Sequence, residues 1–260
     1  MKIYVAGNGV LLLLLKKYNG NPEKCPIYLL QTFYDMRKQS HESFLKIKNS
    51  CKEFLLDSGA FTFMNSGVRV HWKTYVNEYI DFINKYDIQH FFELDLYTLP
   101  EVGIEKTIKM RRYIEYHTGK QSIPVFHACM GLEMYRELCR EYDYIAIGAS
   151  GLTEECRWVK NKKLLKQMVQ IADSYGTKVH GLGYQRIDNL NNNKMGFYSV
   201  DATSWIGSRF NTKYDIKQGN LVKSKCVDTS KGERLKDYLQ LDEHNLKVFR
   251  RLQQLKDMEE

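Results

Sequence analysis

Three aspartates each come directly after a short apolar run of the sequence. Asp57 ends the run FLLD, Asp95 ends FFELD and Asp201 ends FYSVD. A carboxylate can attack a carbon covalently, exchange a proton with a reacting group, or accept two neighbouring N–H donors of a planar ligand. Taken alone, each aspartate could equally be a helix N-cap or a turn former. Three of them in equivalent positions predict a shared site.

Small residues and histidines occupy the ends of other apolar runs, namely His127, Gly148, Ala149, His180 and Gly183. The short side chains of Gly148 and Ala149 would let backbone amides approach a planar ligand. The two histidines are more readily structural, hydrogen-bonded residues than catalysts. No histidine or cysteine spacing predicts a metal site.

The elements that must position these residues alternate along the chain. Seven short β-rich runs begin at Lys2, Glu53, His90, Ile123, Tyr142, Thr177 and Phe197, and an eighth is expected between Pro26 and Gln31. The intervening stretches, such as 71–83, carry apolar residues at helical spacing. Strands that alternate with helices pair in parallel, and about eight such units are the count of a closed barrel. We predict an α/β fold, a single-domain (β/α)8 TIM-type barrel, with an open doubly wound sheet as the alternative.

The C-terminal part of the sequence has a different pattern. Leu246, Phe249 and Leu252 recur at helical spacing and predict a helical extension packed on the barrel. We therefore place the catalytic barrel at 1–229 and the extension at 230–260. The asparagines at 191–193 predict an exposed loop before the last strand.

Composition limits the class of protein. The chain has 260 residues, 43% of them hydrophobic and 13% aromatic, which favours one large core over disorder. A net charge of +8 favours a polyanionic partner. The apolar run at 10–15 is too short to span a bilayer and lacks the pattern of a secretory signal, so we expect a cytoplasmic protein with no membrane partner. The six cysteines form no CxxC pair, which argues against a disulfide framework and a clustered zinc site.

Five segments, in order, resemble the tRNA-guanine transglycosylase family. They are DSGAFTF from Asp57, ELDLYTLP from Glu93, YIAIGASG from Tyr144, KVHGLGY from Lys178 and FYSVDATSWIGSR from Phe197. The short chain and the SVDATSW sequence look still more like the compact paralogues of bacteria and phages, some of which modify DNA. The resemblance implies a pentosyltransferase that exchanges guanine in nucleic acid for a 7-deazaguanine co-substrate such as preQ0, uses no cofactor, and works in a bacterial or phage-infected cell.

Three departures from the family pattern bear on the substrate. The zinc-binding CxCxxC cluster is absent because Cys226 stands alone, so no zinc subdomain is expected. The base-binding turn after the fifth strand is replaced by ACMG at 128–131. The proline-threonine-arginine after the nucleophile is replaced by TSW at 203–205, which leaves Arg209 as the nearby phosphate contact. These departures favour DNA as the substrate, with tRNA as the alternative. The oligomeric state stays open, with a homodimer as one possibility.

The resemblance implies a role for each aspartate. Asp201 would be the nucleophile that forms a glycosyl-enzyme ester and so keeps the sugar from water. Asp57 would be the general acid-base for the leaving guanine and the incoming base. Asp95 would accept the paired N–H donors of a guanine-type edge. The target base must first leave the duplex stack.

Further residues are candidates for binding rather than chemistry. The implied base pocket adds Ser58, Gly59, Phe61, Met130, Gly131, Gly148, Ala149 and Gly183. Base stacking is expected from Phe61, Tyr97, Met130 or Tyr184, which could equally be core residues. Candidate phosphate contacts are Lys160, Lys162, Lys163 and Arg209, which could equally be solvated charges on a helix face.

Two other functions stay open from the sequence. A base-removing N-glycosidase would use the same carboxylates and let water complete the reaction. A catalytically silent nucleic-acid-binding paralogue would keep the barrel and the positive charge. The presence of all three aspartates argues against the silent paralogue, because binding alone gives no chemical reason to keep Asp201.

Overall fold

Strands and helices alternate along the chain in the computed structural model, which describes residues 1–7, 27–60, 62, 70–97, 99, 101–148, 161–227 and 237–259. The strands are β1 (Lys2–Ala6), β2 (Tyr28–Thr32), β3 (Glu53–Asp57), β4 (His90–Phe91), β5 (Val125–Phe126), β6 (Tyr144–Gly148), β7 (Lys178–Leu182), β8 (Ser199–Ala202), β9 (Thr212–Lys217) and β10 (Asn220–Lys225). The helices are α1 (Phe33–Met36), α2 (His41–Asn49), α3 (Trp72–Lys85), α4 (Gly103–Thr118), α5 (Gly131–Glu141), α6 (Lys162–Ser174), α7 (Ile187–Asn192), α8 (Gly207–Phe210) and α9 (Tyr238–Glu259).

Within these described ranges, eight strands form one sheet in the order β4-β3-β2-β1-β8-β7-β6-β5. Each neighbouring pair is parallel. The two outer strands meet through a parallel bridge between Phe92 and Ile123, which closes the sheet into a barrel. The predicted single-domain (β/α)8 fold is confirmed.

The junction of β4 and β5, the β4–β5 seam, uses a side chain as well as backbone. The Val125 N–H donates to Glu93 Oε1 at 2.6 Å. The other Glu93 oxygen lies 3.3 Å from the guanidinium of Arg111 on α4, and both side chains are buried. Burial raises the pKa of Glu93 to about 8, although the positive charge of Arg111 opposes this rise.

The helices cover the outer face of the barrel. In α3 the buried residues Val76, Tyr79 and Ile83 recur at three- and four-residue spacing, while Lys73 and Asn77 are exposed. The spacing that predicts this helix is therefore the spacing of its buried face. No helix in the described part of the chain has the length and apolar composition needed to cross a membrane.

The C-terminal helix α9 contacts the amino end of β1. The Ile3 N–H donates to Gln253 Oε1 at 2.7 Å, and the Gln253 amide donates to the Met1 carbonyl at 3.3 Å. Leu246, Phe249 and Leu252 are buried. The predicted apolar stripe thus faces the rest of the protein.

Two local features differ from the sequence-based expectations. An antiparallel hairpin, β9–β10, lies between α8 and α9 and was not predicted. Residues 191 and 192 belong to the last turn of α7 rather than to a loop. Asn193 ends that helix in the left-handed conformation, with φ of 43°, which asparagine adopts more readily than most residues.

Candidate active site

The three aspartates lie at the carboxyl end of the barrel. Asp57 is the last residue of β3, Asp201 lies near the end of β8, and Asp95 follows β4. Burial makes the largest contribution to the raised pKa of Asp57, and the negative charges of Asp201 and Asp95 add to it, so both carboxylates lie near that of Asp57. The structure thus brings the three together at the end of the barrel where enzymes of this architecture carry their sites.

Asp57 is held by the turn that follows it. The Gly59 N–H donates to Asp57 Oδ1 at 2.9 Å. Gly59 has φ of +79°, and a Cβ atom there would lie 2.8 Å from the Tyr34 Cβ, so this turn requires glycine. Burial raises the pKa of Asp57 to about 6, and the neighbouring carboxylates add to this effect. A carboxyl group with that pKa can both donate and accept a proton near neutral pH.

Asp201 has one carboxylate oxygen fixed and one less constrained. Its Oδ1 atom lies 3.2 Å from His180 Nε2 and accepts a 2.5 Å hydrogen bond from the Gly183 N–H. The positive φ of Gly183, 68°, belongs to the turn that supplies this amide. Both contacts engage Oδ1, and no described residue donates a hydrogen bond to Oδ2. Oδ2 is therefore the oxygen available for a ligand.

Asp95 is paired with His127. The Nε2 atom of His127 lies 2.9 Å from each Asp95 carboxylate oxygen, and the Tyr97 ring stacks on the imidazole with centroids 3.9 Å apart. A Cβ atom at Gly148 would lie 2.5 Å from His127 Cε1, so the missing side chain makes room for the imidazole. An ionised carboxylate has about four lone-pair sites. Asp95 therefore keeps capacity for further N–H donors.

The other candidate base-binding residues have mixed surroundings. Ser58 is buried, and its carbonyl accepts a 2.7 Å hydrogen bond from the Tyr75 hydroxyl. Met130 is partly buried against the hydrophobic core, whereas Gly131 is exposed at the start of α5. Tyr184 is buried against Phe197, as expected of a core residue. Phe61 and Ala149 lie outside the described residues.

The candidate phosphate contacts that the structure describes lie on two helices, α6 and α8. Lys162 Nζ is paired with the carboxylate of Asp188, while Lys163 is exposed at the start of α6. Arg209 is exposed on α8, and its guanidinium lies 5.4 Å from the centre of the Phe210 ring. Lys160 lies outside the described residues. Of the candidates that are described, Lys163 and Arg209 are the more accessible charges.

Two residues that the sequence analysis did not assign to the site organise its loops. Gln185 Oε1 accepts hydrogen bonds from the Thr203 and Ser204 N–H groups at 2.9 and 2.8 Å, which joins the segments after β7 and β8. Trp205 is fully buried, and its Nε1–H donates to the Ala6 carbonyl at 2.7 Å. No short sequence motif signals these contacts, since both partners come from distant parts of the chain.

Comparisons with known proteins identify no family for this chain. No protein-family model matches the chain, and no curated protein gives a significant sequence match. The chain is similar to the tryptophan synthase alpha subunit from Campylobacter jejuni, with a TM-score of 0.45 and 12% identity over 78% of this chain and 88% of that one. It is also similar to an enolase protein from Sargasso Sea environmental sequencing, with a TM-score of 0.44 and 8% identity over 78% of this chain and 54% of that one. Neither similarity bears on the chemistry of the three aspartates.

Proposed function

We propose that this protein is a guanine transglycosylase that exchanges guanine in DNA for a 7-deazaguanine base, with tRNA as the alternative substrate. The observation that carries the proposal is the meeting of Asp57, Asp95 and Asp201, in which the pKa of Asp57 is raised to about 6. The ordered resemblance of five sequence segments to guanine transglycosylases supports it separately.

In the first half-reaction, Asp201 Oδ2 attacks the anomeric carbon of the target nucleotide. The glycosidic C–N bond breaks, its electron pair goes to the departing guanine, and the protonated form of Asp57 donates a proton to that base. The product is an ester between Asp201 and the sugar, and the strand stays intact. The hydrogen bond from Gly183 and the contact with His180 restrict Oδ1, which directs attack through Oδ2.

In the second half-reaction, the incoming 7-deazaguanine loses its ring N–H proton to the Asp57 carboxylate. The freed nitrogen attacks the anomeric carbon, and the ester bond breaks to restore ionised Asp201. Asp57 ends this cycle protonated, as it began. The pKa of about 6 suits a group that must act in both forms. Asp95, oriented by His127, would recognise the base through its remaining acceptor sites.

The test is incorporation of a radiolabelled 7-deazaguanine, such as preQ0, into DNA and into tRNA in separate assays. We expect the wild type to incorporate label and, without the incoming base, to form a denaturation-resistant adduct with the nucleic acid. Asp201→Asn should do neither. Asp81→Asn, the same change at an exposed position on α3, should behave as the wild type.

The outcomes separate the possible functions. Wild-type protein that incorporates no label into either nucleic acid contradicts the proposal. Release of free guanine without incorporation identifies an N-glycosidase. Binding of nucleic acid with neither release nor adduct identifies a silent paralogue. Incorporation into tRNA alone corrects the substrate and leaves the reaction unchanged.

A further inference from the structure

A chain of hydrogen-bonding side chains runs through the barrel interior toward Asp201. Interiors of such barrels are filled mainly by branched aliphatic residues. Here the Tyr144 hydroxyl on β6 lies 2.5 Å from Ser199 Oγ on β8, and Ser199 Oγ lies 2.6 Å from His180 Nδ1 on β7. His180 Nε2 then lies 3.2 Å from Asp201 Oδ1. Four polar groups on three adjacent strands therefore form one connected path.

The surroundings of His180 exclude water and limit its partners. Its side chain is 0% exposed. The ring of Tyr4 packs against it with centroids 5.9 Å apart, and the ring of Phe92 does so at 5.3 Å. Among the described residues, the titratable groups that face it are Asp201 on β8, Tyr4 on β1 and Tyr144 on β6. The hydrogen bonds that fix its protonation therefore come from Asp201 and Ser199.

With a neutral imidazole and an ionised Asp201, one arrangement of protons satisfies every bond along this path. An ionised Asp201 accepts only, so His180 must donate through Nε2. A neutral imidazole then has Nδ1 as its acceptor, which Ser199 fills with its hydroxyl proton. Ser199 in turn accepts from the Tyr144 hydroxyl, which burial keeps protonated by raising its pKa. The Tyr4 hydroxyl also contacts Tyr144, but its proton is donated to Glu53, so it supplies no proton to the path.

We propose that His180 is a positioning residue for Asp201, and that Ser199 and Tyr144 hold it as the neutral tautomer with its proton on Nε2. The catalytic part of this inference rests on the proposed function. With the proton on Nε2, His180 occupies Oδ1 and leaves Oδ2 free to attack. A proton on Nδ1 instead would turn a lone pair toward the carboxylate and repel it, so Asp201 would leave its attacking position.

The first measurement is the protonation state of His180, which needs no activity. Nitrogen-15 NMR of the histidine-labelled protein distinguishes the two neutral tautomers and the imidazolium, and the His180 signal is the one lost in His180→Gln. We expect the Nε2-protonated neutral form at pH 7. Ser199→Ala and Tyr144→Phe should give a mixture of forms. Tyr28→Phe removes a barrel hydroxyl that bonds Lys52 instead, and should leave the signal unchanged.

The second measurement is the rate of base exchange. Ser199→Ala and Tyr144→Phe leave the reacting carboxylates in place, so each should lower kcat by about tenfold with KM unchanged, as expected for one lost hydrogen bond. Tyr28→Phe should keep the wild-type kcat. If these hydroxyls acted only on stability, all three variants would have lower melting temperatures, but Ser199→Ala and Tyr144→Phe would not show a lower kcat at unchanged KM.

Each result decides a separate point. An imidazolium, or an Nδ1-protonated ring, in the wild type at pH 7 overturns the tautomer assignment. An active wild type whose kcat is unchanged in both path variants overturns the positioning role. An inactive wild type contradicts the proposed function, and the NMR measurement then still decides the tautomer.

Discussion

Replacing Gly148 by alanine should force His127 away from its present position. The new Cβ atom would lie 2.5 Å from His127 Cε1 and 2.8 Å from Nδ1, which is too close for any pair of such atoms. The ring has two alternatives. It can stay and strain the packing, at about 1–3 kcal/mol, or move and give up its bonds to the Asp95 carboxylate, at about 1.5–3 kcal/mol. The ring should adopt whichever arrangement costs less, so we expect the free energy of unfolding to fall by about 2 kcal/mol.

A double-mutant cycle with His127→Ala attributes this loss to the ring. Urea denaturation of the four proteins gives the free energies, and a loss of about 2 kcal/mol should also lower the melting temperature by roughly 4–8 °C. With His127 already truncated, Gly148→Ala should cost less than about 0.5 kcal/mol, which leaves a coupling energy of about 1.5–2 kcal/mol. The same cost in both backgrounds would refute the view that the imidazole fills the space beside Gly148.

Three further expectations concern buried groups. The pKa of Asp57 is raised to about 6 from the ordinary 3.8, so its ionisation lowers the free energy of unfolding as pH rises through that range. Asp57→Asn should therefore be more stable than the wild type at pH 8, and the gain should shrink toward pH 4. A gain that does not change with pH in urea denaturation would contradict this. Arg111→Met should lower the free energy of unfolding by about 3 kcal/mol at pH 9, where it leaves Glu93 as an unpaired buried charge. The loss should be smaller at pH 6, because Glu93, with its pKa of about 8, is then protonated. Equal losses at the two pH values would exclude the coupling between Arg111 and Glu93. Trp205→Phe removes the donor to the buried Ala6 carbonyl and should cost about 1–3 kcal/mol in thermal unfolding, unlike an exposed change such as Tyr116→Phe.

The barrel was predictable because most strands follow their local sequence. The apolar runs that begin at Lys2 and Glu53 become β1 and β3 with the expected ends. The runs from His90 and Ile123 yield only the two-residue strands β4 and β5. Pro124 has no N–H to donate, and Glu93 accepts from Val125 in place of a backbone carbonyl. A pattern of apolar residues cannot show that a side-chain carboxylate replaces a backbone carbonyl as the acceptor.

The β9–β10 hairpin was missed because its turn and strands give weak signals. Its turn uses Gln218 and Gly219, both at positive φ, rather than the usual asparagine-glycine pair. Within the two strands, Tyr214 and Leu221 are the fully buried residues. With so little burial, the two-residue alternation that marks a strand is faint.

The site was predictable in part. The strand-end rule located Asp57, Asp95 and Asp201, because it depends only on where each apolar run stops. Their histidine partners depend on which strands are neighbours. Closure at the β4–β5 seam places His127 beside Asp95. The β7–β8 pair places His180 beside Asp201. The sequence also contains a signal that places Ser199 close to Asp201. Ser199 and Asp201 are two residues apart on a strand and must share its inner face.

The β4–β5 seam also bears on how the protein avoids self-association. A sheet that opens exposes two rows of unpaired N–H and C=O groups, and long, flat rows of this kind template pairing with a second chain. At this seam each exposed strand would be two residues long. The neighbouring Glu93 would become charged in water, and Pro124 would interrupt the row with a missing donor. The seam between the two shortest strands of the barrel is thus also poorly suited to pair with a second chain.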